Sequence, residues 1–204
     1  MTTVIRVDPA RPAGDVLDSA VATLRGGGII AFPTETFYGL GAAFSSAPAI
    51  ARVFEVKGRD AAKPILVLVN STAMAESLTS RVPDRARALM ARHWPGALTL
   101  VLPAQASVPL ALTAGTGTIG VRWPAHAVAE GLVRALGEPI TAPSANPSDL
   151  TPPCTADEVL AYFDGVLDLV LDAGPTPGGP ASTVLDVTVE PPRLLRRGAV
   201  VVAP

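Results

Sequence analysis

The stretch Gly26–Phe44, GGGIIAFPTETFYGLGAAF, contains the strongest fold signal in the chain. Gly28 to Phe32 is an apolar run that predicts a short buried strand, and Pro33 ends it because proline cannot donate to a sheet. Polar residues from Thr34 to Thr36 follow, before Gly39-Leu40-Gly41. Polar turns after strands are common ligand sites, although threonines in ordinary turns also satisfy local backbone groups. This segment alone is compatible with a binding loop and with a plain glycine-containing turn.

Composition places the segment in a globular domain. The chain has 204 residues, of which 49% are apolar and 17% charged, with a net charge of −2. One domain spanning residues 1–204 is expected, and near-neutral charge argues against a dedicated nucleic-acid coat. The chain has a single cysteine, Cys154, which excludes a disulfide framework within the chain. Its only histidines are His93 and His126, so a metal site built from His and Cys is not favoured. We find neither a membrane-length apolar run nor a signal-peptide pattern, which favours a cytoplasmic protein.

Along the rest of the chain, segments whose apolar residues have the spacing of a helix alternate with segments typical of strands. The spacing of apolar residues predicts helices over Asp15–Arg25, Ala47–Lys57, Asp84–His93 and 128–136, and a helix that starts at Thr155 with Glu158 as its capping-box partner. Strands are predicted over 28–32, 65–69, 98–102, 118–122, 139–142, 167–171, 182–189 and 194–196. This interleaving predicts an α/β (α+β) fold, a single domain with a twisted mixed sheet and flanking helices.

Several common catalytic motifs are absent from the sequence. It contains no G-x-x-x-x-G-K-[ST], no G-x-S-x-G and no H-E-x-x-H. Gly39-Leu40-Gly41 begins like a dinucleotide fingerprint, but Phe44 occupies the position of its third glycine. His93 and His126 lie at the ends of predicted helices, where structural roles are typical. A hydrolase using Ser144 with one of these histidines has no supporting spacing.

Polar clusters lie where the predicted strands and helices end. Lys57, Arg59 and Lys63 follow a helix, which is typical either of a solvated surface cluster or of a phosphate clamp. Strand alternation puts Thr118 and Arg122 on one face, where an arginine needs an anionic partner. Further short side chains with hydroxyl or amide hydrogen-bond donors, and further cationic side chains, occur in Ala142–Pro147, in Gly178–Thr183 and in Leu195–Gly198. Together the clusters favour an anion site without a histidine base or a metal cage.

The order and the residue identities of these clusters resemble those of the threonylcarbamoyl-AMP synthase family, whose domain is called YrdC-like. The segments that carry the resemblance are Gly26–Phe44, KGRDAAKPILVLV (Lys57–Val69), HWPGALTLVLP (His93–Pro103), TIGVRWPAH (Thr118–His126), APSAN (Ala142–Asn146), ASTVLDVT (Ala181–Thr188) and LLRRGAV (Leu194–Val200). The resemblance implies a twisted sheet enclosing a concave, positively charged cavity. It also implies synthesis of L-threonylcarbamoyl-AMP and pyrophosphate from L-threonine, bicarbonate or CO2, and ATP, by the short form without an extra C-terminal domain.

The resemblance also assigns roles to individual residues. Threonine would be bound by Thr36, Arg122, the Ala142 backbone and Ser182. ATP or the adenylate would be bound by Arg59, Lys63, Thr118, Ser144, Asn146 and Arg196, with Lys57 and Arg59 as the catalytic cations. Mg²⁺ would arrive with ATP, without a metal site on the protein. The product would pass to the tRNA threonylcarbamoyl-transferase machinery, and weak RNA binding is a further expectation.

Two departures and two rival functions stay open. Leu68 occupies a position where some relatives have a histidine near threonine, and Ser144–Asp149 (SANPSD) lacks the usual glycine soon after SAN. A non-enzymatic RNA- or nucleotide-binding module would use the same cations and show an affinity that falls steeply with salt. A relative that forms a carbamoyl-adenylate would use carbamoyl phosphate in place of threonine.

Overall fold

The computed structural model describes residues 1–202, so the last two residues of the predicted 1–204 domain lie outside it. Its strands are β1 (Thr3–Arg6), β2 (Ile30–Phe32), β3 (Gly39–Gly41), β4 (Val67–Leu68), β5 (Leu98–Pro103), β6 (Thr118–Arg122), β7 (Ile140–Thr141), β8 (Leu169–Asp172), β9 (Thr183–Asp186) and β10 (Arg193–Arg196). Its helices are α1 (Gly14–Arg25), α2 (Ala47–Lys57), α3 (Thr72–Ser77), α4 (Asp84–His93), α5 (Leu110–Thr113), α6 (Ala127–Leu136) and α7 (Ala156–Phe163).

The strands form two mixed sheets rather than one. The four-stranded sheet has the order β1-β8-β2-β3, in which β8 runs parallel to both of its neighbours and β3 is antiparallel to β2. The six-stranded sheet has the order β10-β9-β5-β6-β4-β7, with parallel pairs at β9–β5 and β6–β4. The predicted mixed α/β architecture is therefore confirmed, with the sheet divided in two.

Two apolar clusters hold the helices against these sheets. In one, α1 and α6 pack side by side over β2 and β8, burying residues such as Leu24 and Leu132. In the other, α2 and α4 cover β5 and β6, with Ile50 and Leu100 fully buried. The apolar faces that predict these helices in the sequence are the faces that the clusters bury. Within residues 1–202, no helix is long and apolar enough to cross a membrane.

Most predicted elements occur close to their expected bounds. Helix α1 ends at Gly26, α2 ends at Gly58 in the left-handed conformation, and Thr155 and Glu158 form the predicted capping box of α7. The prediction of a continuous turn after Pro33 was wrong in part, because residues 39–41 form β3. Strand β1 and helices α3 and α5 were not predicted.

The Thr141 hydroxyl joins the two sheets along the line where β3 meets β7. Its Oγ1 donates to the Leu40 carbonyl at 3.0 Å and accepts from the Ala42 N–H at 2.9 Å. The Thr141 N–H donates to the Ala42 carbonyl at 3.0 Å, and the side chain is fully buried. We call the contacts between β3 and β7 the sheet seam. The seam continues beyond Thr141, since the Leu40 N–H donates to the Pro143 carbonyl at 2.8 Å.

We predict that Thr141→Val lowers the free energy of unfolding by about 1–3 kcal/mol, because it preserves the shape but leaves two buried backbone groups without their partner. Urea unfolding followed by circular dichroism measures this change. The matched control is Thr151→Val, whose side chain is exposed and for which a change within about 0.5 kcal/mol is expected. Equal effects of the two substitutions would show that the seam hydroxyl contributes nothing.

Candidate functional site

A cavity of about 620 Å³ lies over one face of the six-stranded sheet, next to the sheet seam. Its floor consists of alternate residues of β5, β6 and β9, because alternate side chains of a strand point to the same face. From β6, Thr118, Gly120 and Arg122 line the cavity, whereas Ile119 and Val121 lie in the core. The alternation predicted for this strand is thus confirmed. The loop between β2 and β3 and the segment after β7 form the opposite wall.

Eight of the eleven predicted site residues line this cavity. They are Thr36, Arg59, Thr118, Arg122, Ala142, Ser144, Ser182 and Arg196. Residues from six separate segments of the chain therefore meet around one space, as the resemblance implies. Their assignment to threonine or to ATP stays a prediction.

The structure does not bring Lys57, Lys63 and Asn146 to the cavity wall. The Lys57 ammonium is buried, with two backbone carbonyls as its acceptors. Lys63 is exposed on the loop after α2, and its carbonyl accepts from Arg59 Nε at 3.1 Å. Asn146 is buried, and its Nδ2 donates to the Pro147 and Leu150 carbonyls. The prediction that Lys57 and Arg59 point together into the cavity is wrong for Lys57.

The loop after β2 has the hydrogen bonds of an ordinary turn and also lines the cavity. Thr34 Oγ1 donates to the Phe37 carbonyl at 2.7 Å and accepts from the Thr36 N–H at 3.1 Å, as in an ordinary turn. Thr36 Oγ1 lies 3.0 Å from Thr34 Oγ1 and lines the cavity. Thr34 therefore stabilises the turn and contacts Thr36, which lines the cavity.

Arg122 carries a buried positive charge with a partner that we did not predict. Its Nη2 lies 2.7 Å from Glu35 Oε1, and its Nε donates to the Gly96 carbonyl at 3.1 Å. Glu35 Oε1 also accepts from the Ala125 N–H at 3.0 Å. The ion pair is close but not aligned as a hydrogen bond, so the buried Arg122 Nη2 keeps unused N–H groups and Glu35 Oε2 has no partner. Arg122 also lines the cavity, so its positive charge is close to any anion that binds there.

Arg196, the last residue of β10, makes two hydrogen bonds to Ser182, the residue before β9. Its Nε donates to the Ser182 carbonyl at 3.0 Å and its Nη2 to Ser182 Oγ at 2.9 Å. Ser182 Oγ lies 3.0 Å from Thr99 Oγ1 on β5. The chain after β10 then crosses so closely that a Cβ at Gly198 would lie 2.1 Å from the Ala181 carbonyl oxygen. Glycine at this position lets the end of the chain hold the Ser182 segment in place.

The cavity concentrates positive charge in a chain that is nearly neutral overall. Burial lowers the pKa of Arg196, and the nearby charges of Arg122 and Arg59 lower it further. Burial and the charge of Arg59 lower the pKa of Lys57 to about 8.

Burial also lowers the pKa of His126, whose Nδ1 accepts from the Val128 N–H at the start of α6. The predicted structural role of His126 is confirmed.

Sequence reasoning missed Glu35, Thr99 and Asp186. Glu35 lies beside Thr36 in the quoted motif, and its charge in a predicted buried turn was the available signal. Thr99 is an inward-facing hydroxyl in an otherwise apolar strand, which strand alternation could have indicated. Asp186 lines the cavity near β10, but its partner Arg193 is visible only in the folded structure.

The SANPSD loop contains one residue in the backbone conformation that glycine favours. Asp149 has φ of 68°, in the left-handed region that glycine favours and that aspartate tolerates better than most residues. The other departure, Leu68, is fully buried and does not line the cavity.

Comparison with known proteins gives consistent matches. The Sua5/YciO/YrdC family, described as "Telomere recombination", matches residues 22–198. The chain is 44% identical to the threonylcarbamoyl-AMP synthase of Pyrococcus abyssi, covering 88% of this chain and 53% of that protein. It is 42% identical to that of Bacillus subtilis, covering 89% and 53%. The structure of P. abyssi Sua5 complexed with L-threonine matches with a TM-score of 0.93 at 42% identity, over 97% of this chain and 58% of that one. This chain thus spans about half the length of these curated relatives.

We predict that Glu35→Gln lowers the free energy of unfolding by about 1–3 kcal/mol, because the buried Arg122 charge loses its counter-ion. Urea unfolding measures the change. The control is Glu76→Gln, which removes an exposed ion pair with Arg87 and should change stability by less than about 1 kcal/mol. If Glu35→Gln is no more destabilising than this control, the pair does not compensate the Arg122 charge.

Proposed function

The chain belongs to the Sua5/YciO/YrdC family, and we propose that it is a nucleotidyltransferase that makes L-threonylcarbamoyl-AMP and pyrophosphate from L-threonine, bicarbonate or CO2, and ATP. The names of the curated relatives and the threonine complex of the P. abyssi protein support this proposal. In the structure of this chain, the observation that carries the proposal is the position of Arg122 at the cavity.

The proposed reaction has two bond-forming steps. The amine of threonine attacks CO2 and loses a proton, which gives a carbamate. A carbamate oxygen then attacks the α-phosphorus of ATP, and the bond from that phosphorus to the bridging oxygen breaks to release pyrophosphate. Because the carbamate is already anionic, the second step needs no strong base from the protein. It needs placement of the two reactants and neutralisation of negative charge.

Arg122 is the proposed receptor for the threonine carboxylate. Glu35 and Gly96 hold its guanidinium in place, and the part of the side chain that lines the cavity would receive the carboxylate. Thr36, the Ala142 backbone and Ser182 line the same cavity and would complete the amino-acid pocket. A hydroxyl partner for the threonine side chain would reject valine, since a buried polar group left unpaired is unfavourable.

Arg59 and Arg196 are the proposed cations for the nucleotide, with Thr118 and Ser144 as hydroxyl donors. All four line the cavity with Arg122. Arg59 is oriented by its own contacts, since Nη2 donates to the Pro64 carbonyl at 2.7 Å. Such preorganised cations neutralise the charge that develops as pyrophosphate leaves.

The lining residues do not form a ligand set for Mg²⁺. Within residues 1–202, Asp186 is the carboxylate that lines the cavity, and both of its oxygens already accept hydrogen bonds from Thr188 and Arg193. The described residues also contain no group of three or more His, Cys, Asp or Glu side chains placed to hold a metal. We propose that Mg²⁺ enters as a complex with ATP.

The product is a mixed anhydride that water hydrolyses readily, so it would be passed directly to a tRNA threonylcarbamoyl-transferase. We propose that this transfer takes place in the cytoplasm and modifies the adenosine beside the anticodon. Weak RNA binding by the cavity's cations would assist it.

We predict that the purified chain releases pyrophosphate when L-threonine, bicarbonate and ATP are all present, and that serine or valine in place of threonine gives a rate at least about tenfold lower. A coupled pyrophosphate assay with mass spectrometry of the adenylate measures this. Equal release without an amino acid contradicts the proposal. Turnover with carbamoyl phosphate would indicate a carbamoyl-adenylate activity, and salt-sensitive RNA binding without turnover would indicate a binding module.

We predict that Arg122→Lys raises the KM for threonine about 10- to 100-fold and changes the KM for ATP less than about threefold, because lysine keeps the charge but loses the planar fork. Steady-state kinetics at saturating second substrate separate the two values. The control is Arg134→Lys, since Arg134 is exposed on α6. An unchanged threonine KM in Arg122→Lys assigns the carboxylate to another residue.

A further inference from the structure

The side chain of Lys57 is buried behind the cavity wall, at the last residue of α2. Its exposed fraction is 3%, which is rare for a lysine, since the ammonium loses its hydration on burial. Within residues 1–202, none of the ion pairs involves Lys57. Its charge must therefore be stabilised by dipoles.

Those dipoles belong to the turn that carries Ser144, here called the Ser144 turn (residues 144–148). Lys57 Nζ donates to the Ser144 carbonyl at 2.5 Å and to the Asn146 carbonyl at 2.6 Å. The backbone of Lys57 contributes a third bond, because its carbonyl accepts from the Ser148 N–H at 2.7 Å. One residue at the end of α2 thus binds the turn at its beginning, middle and end.

Other contacts of the Ser144 turn are backbone bonds: Ser144 forms an isolated bridge with Gly39, and its carbonyl also accepts from the Asn146 N–H at 3.0 Å. The Ala145 N–H donates to the Tyr38 carbonyl at 2.8 Å, which ties the turn to the loop before β3. The Asn146 side chain bonds within the following loop, to Pro147 and Leu150. Without the ammonium, the two carbonyls of the turn would lose their charged donor at a site without bulk water.

We propose that Lys57 is a positioning residue, whose ammonium holds the carbonyls of Ser144 and Asn146 so that Ser144 faces the nucleotide, and that it does not contact the phosphates itself. This inference rests on the proposed function only for the identity of the ligand. It replaces the role of catalytic cation that the sequence predicts for Lys57.

Lys57 and Arg59 are two residues apart, and the geometry gives them different roles. Gly58 ends α2 with φ of 56°, and after this change of direction Arg59 lines the cavity. Arg59 donates to the Lys63 and Pro64 carbonyls and, unlike Lys57, makes no hydrogen bond to the Ser144 turn. Lys57 therefore orders the wall, and Arg59 is the cation that a phosphate can reach.

The first test is amide hydrogen exchange in the absence of substrate, comparing the wild-type chain with Lys57→Met and Arg59→Met. Methionine resembles lysine in length but has no charge or donor. We expect the amides of Ala145, Asn146 and Ser148 to exchange at least about tenfold faster in Lys57→Met and at the wild-type rate in Arg59→Met. Unchanged protection of the turn in Lys57→Met overturns the proposal. Because no substrate is used, this result is independent of whether the proposed function is correct.

The second test is a double-mutant cycle on the KM for ATP, with Lys57→Met and Ser144→Ala. If Lys57 acts through Ser144, each substitution raises KM about tenfold, and the double variant exceeds the larger single effect by less than about threefold. If Lys57 binds phosphate directly, the two effects multiply to about 100-fold, which also overturns the proposal. Should Lys57→Met fail to fold, Lys57→Gln, which keeps one donor group, is measured in the same way and is judged by the same two outcomes.

Discussion

The hydroxyl of Thr141 is the contact on which the rest of the architecture depends. Two sheets of different strand order meet at the sheet seam, and this hydroxyl satisfies a carbonyl and an N–H of β3 while the Thr141 backbone bonds to β3 as well. The residues that continue from the seam, Ala142 to Ser144 on one side and Gly39 on the other, form a wall of the cavity. The site is therefore assembled from residues of both sheets.

Each of three cations in or beside the cavity is stabilised in a different way. Arg122 has a carboxylate, Glu35, and one carbonyl; Arg196 has the carbonyl and hydroxyl of Ser182; Lys57 has two carbonyls of the Ser144 turn. These partners fix the orientation of each group before a ligand binds, so that little ordering remains for the binding step. Preorganised donors of this kind suit a reaction in which charge neutralisation, and not proton transfer by a histidine, is the main requirement.

Sequence reasoning succeeded where the determining interactions are local. The apolar period of α1, the capping box at Thr155 and the alternation in β6 depend on neighbours within a few residues, so the sequence displays them directly. It failed where distant partners decide the outcome. Strand β3 has the sequence Gly-Leu-Gly, which has no strand character of its own and becomes a strand by pairing with β2. Likewise, the carbonyls that hold Lys57 lie 87 and 89 residues away from it.

The concentration of arginines in the cavity has a consequence for the protein as a whole. Arg59, Arg122 and Arg196 share one concave surface, and the charges of the first two lower the pKa of the third. In the absence of a ligand, these like charges repel one another, and the Glu35 carboxylate offsets only part of that repulsion. A bound polyanion acts as the missing counter-ion, so that part of its binding free energy becomes folding free energy of the domain. Under the proposed function ATP is such a polyanion, so that its binding would make the domain more resistant to unfolding and to degradation.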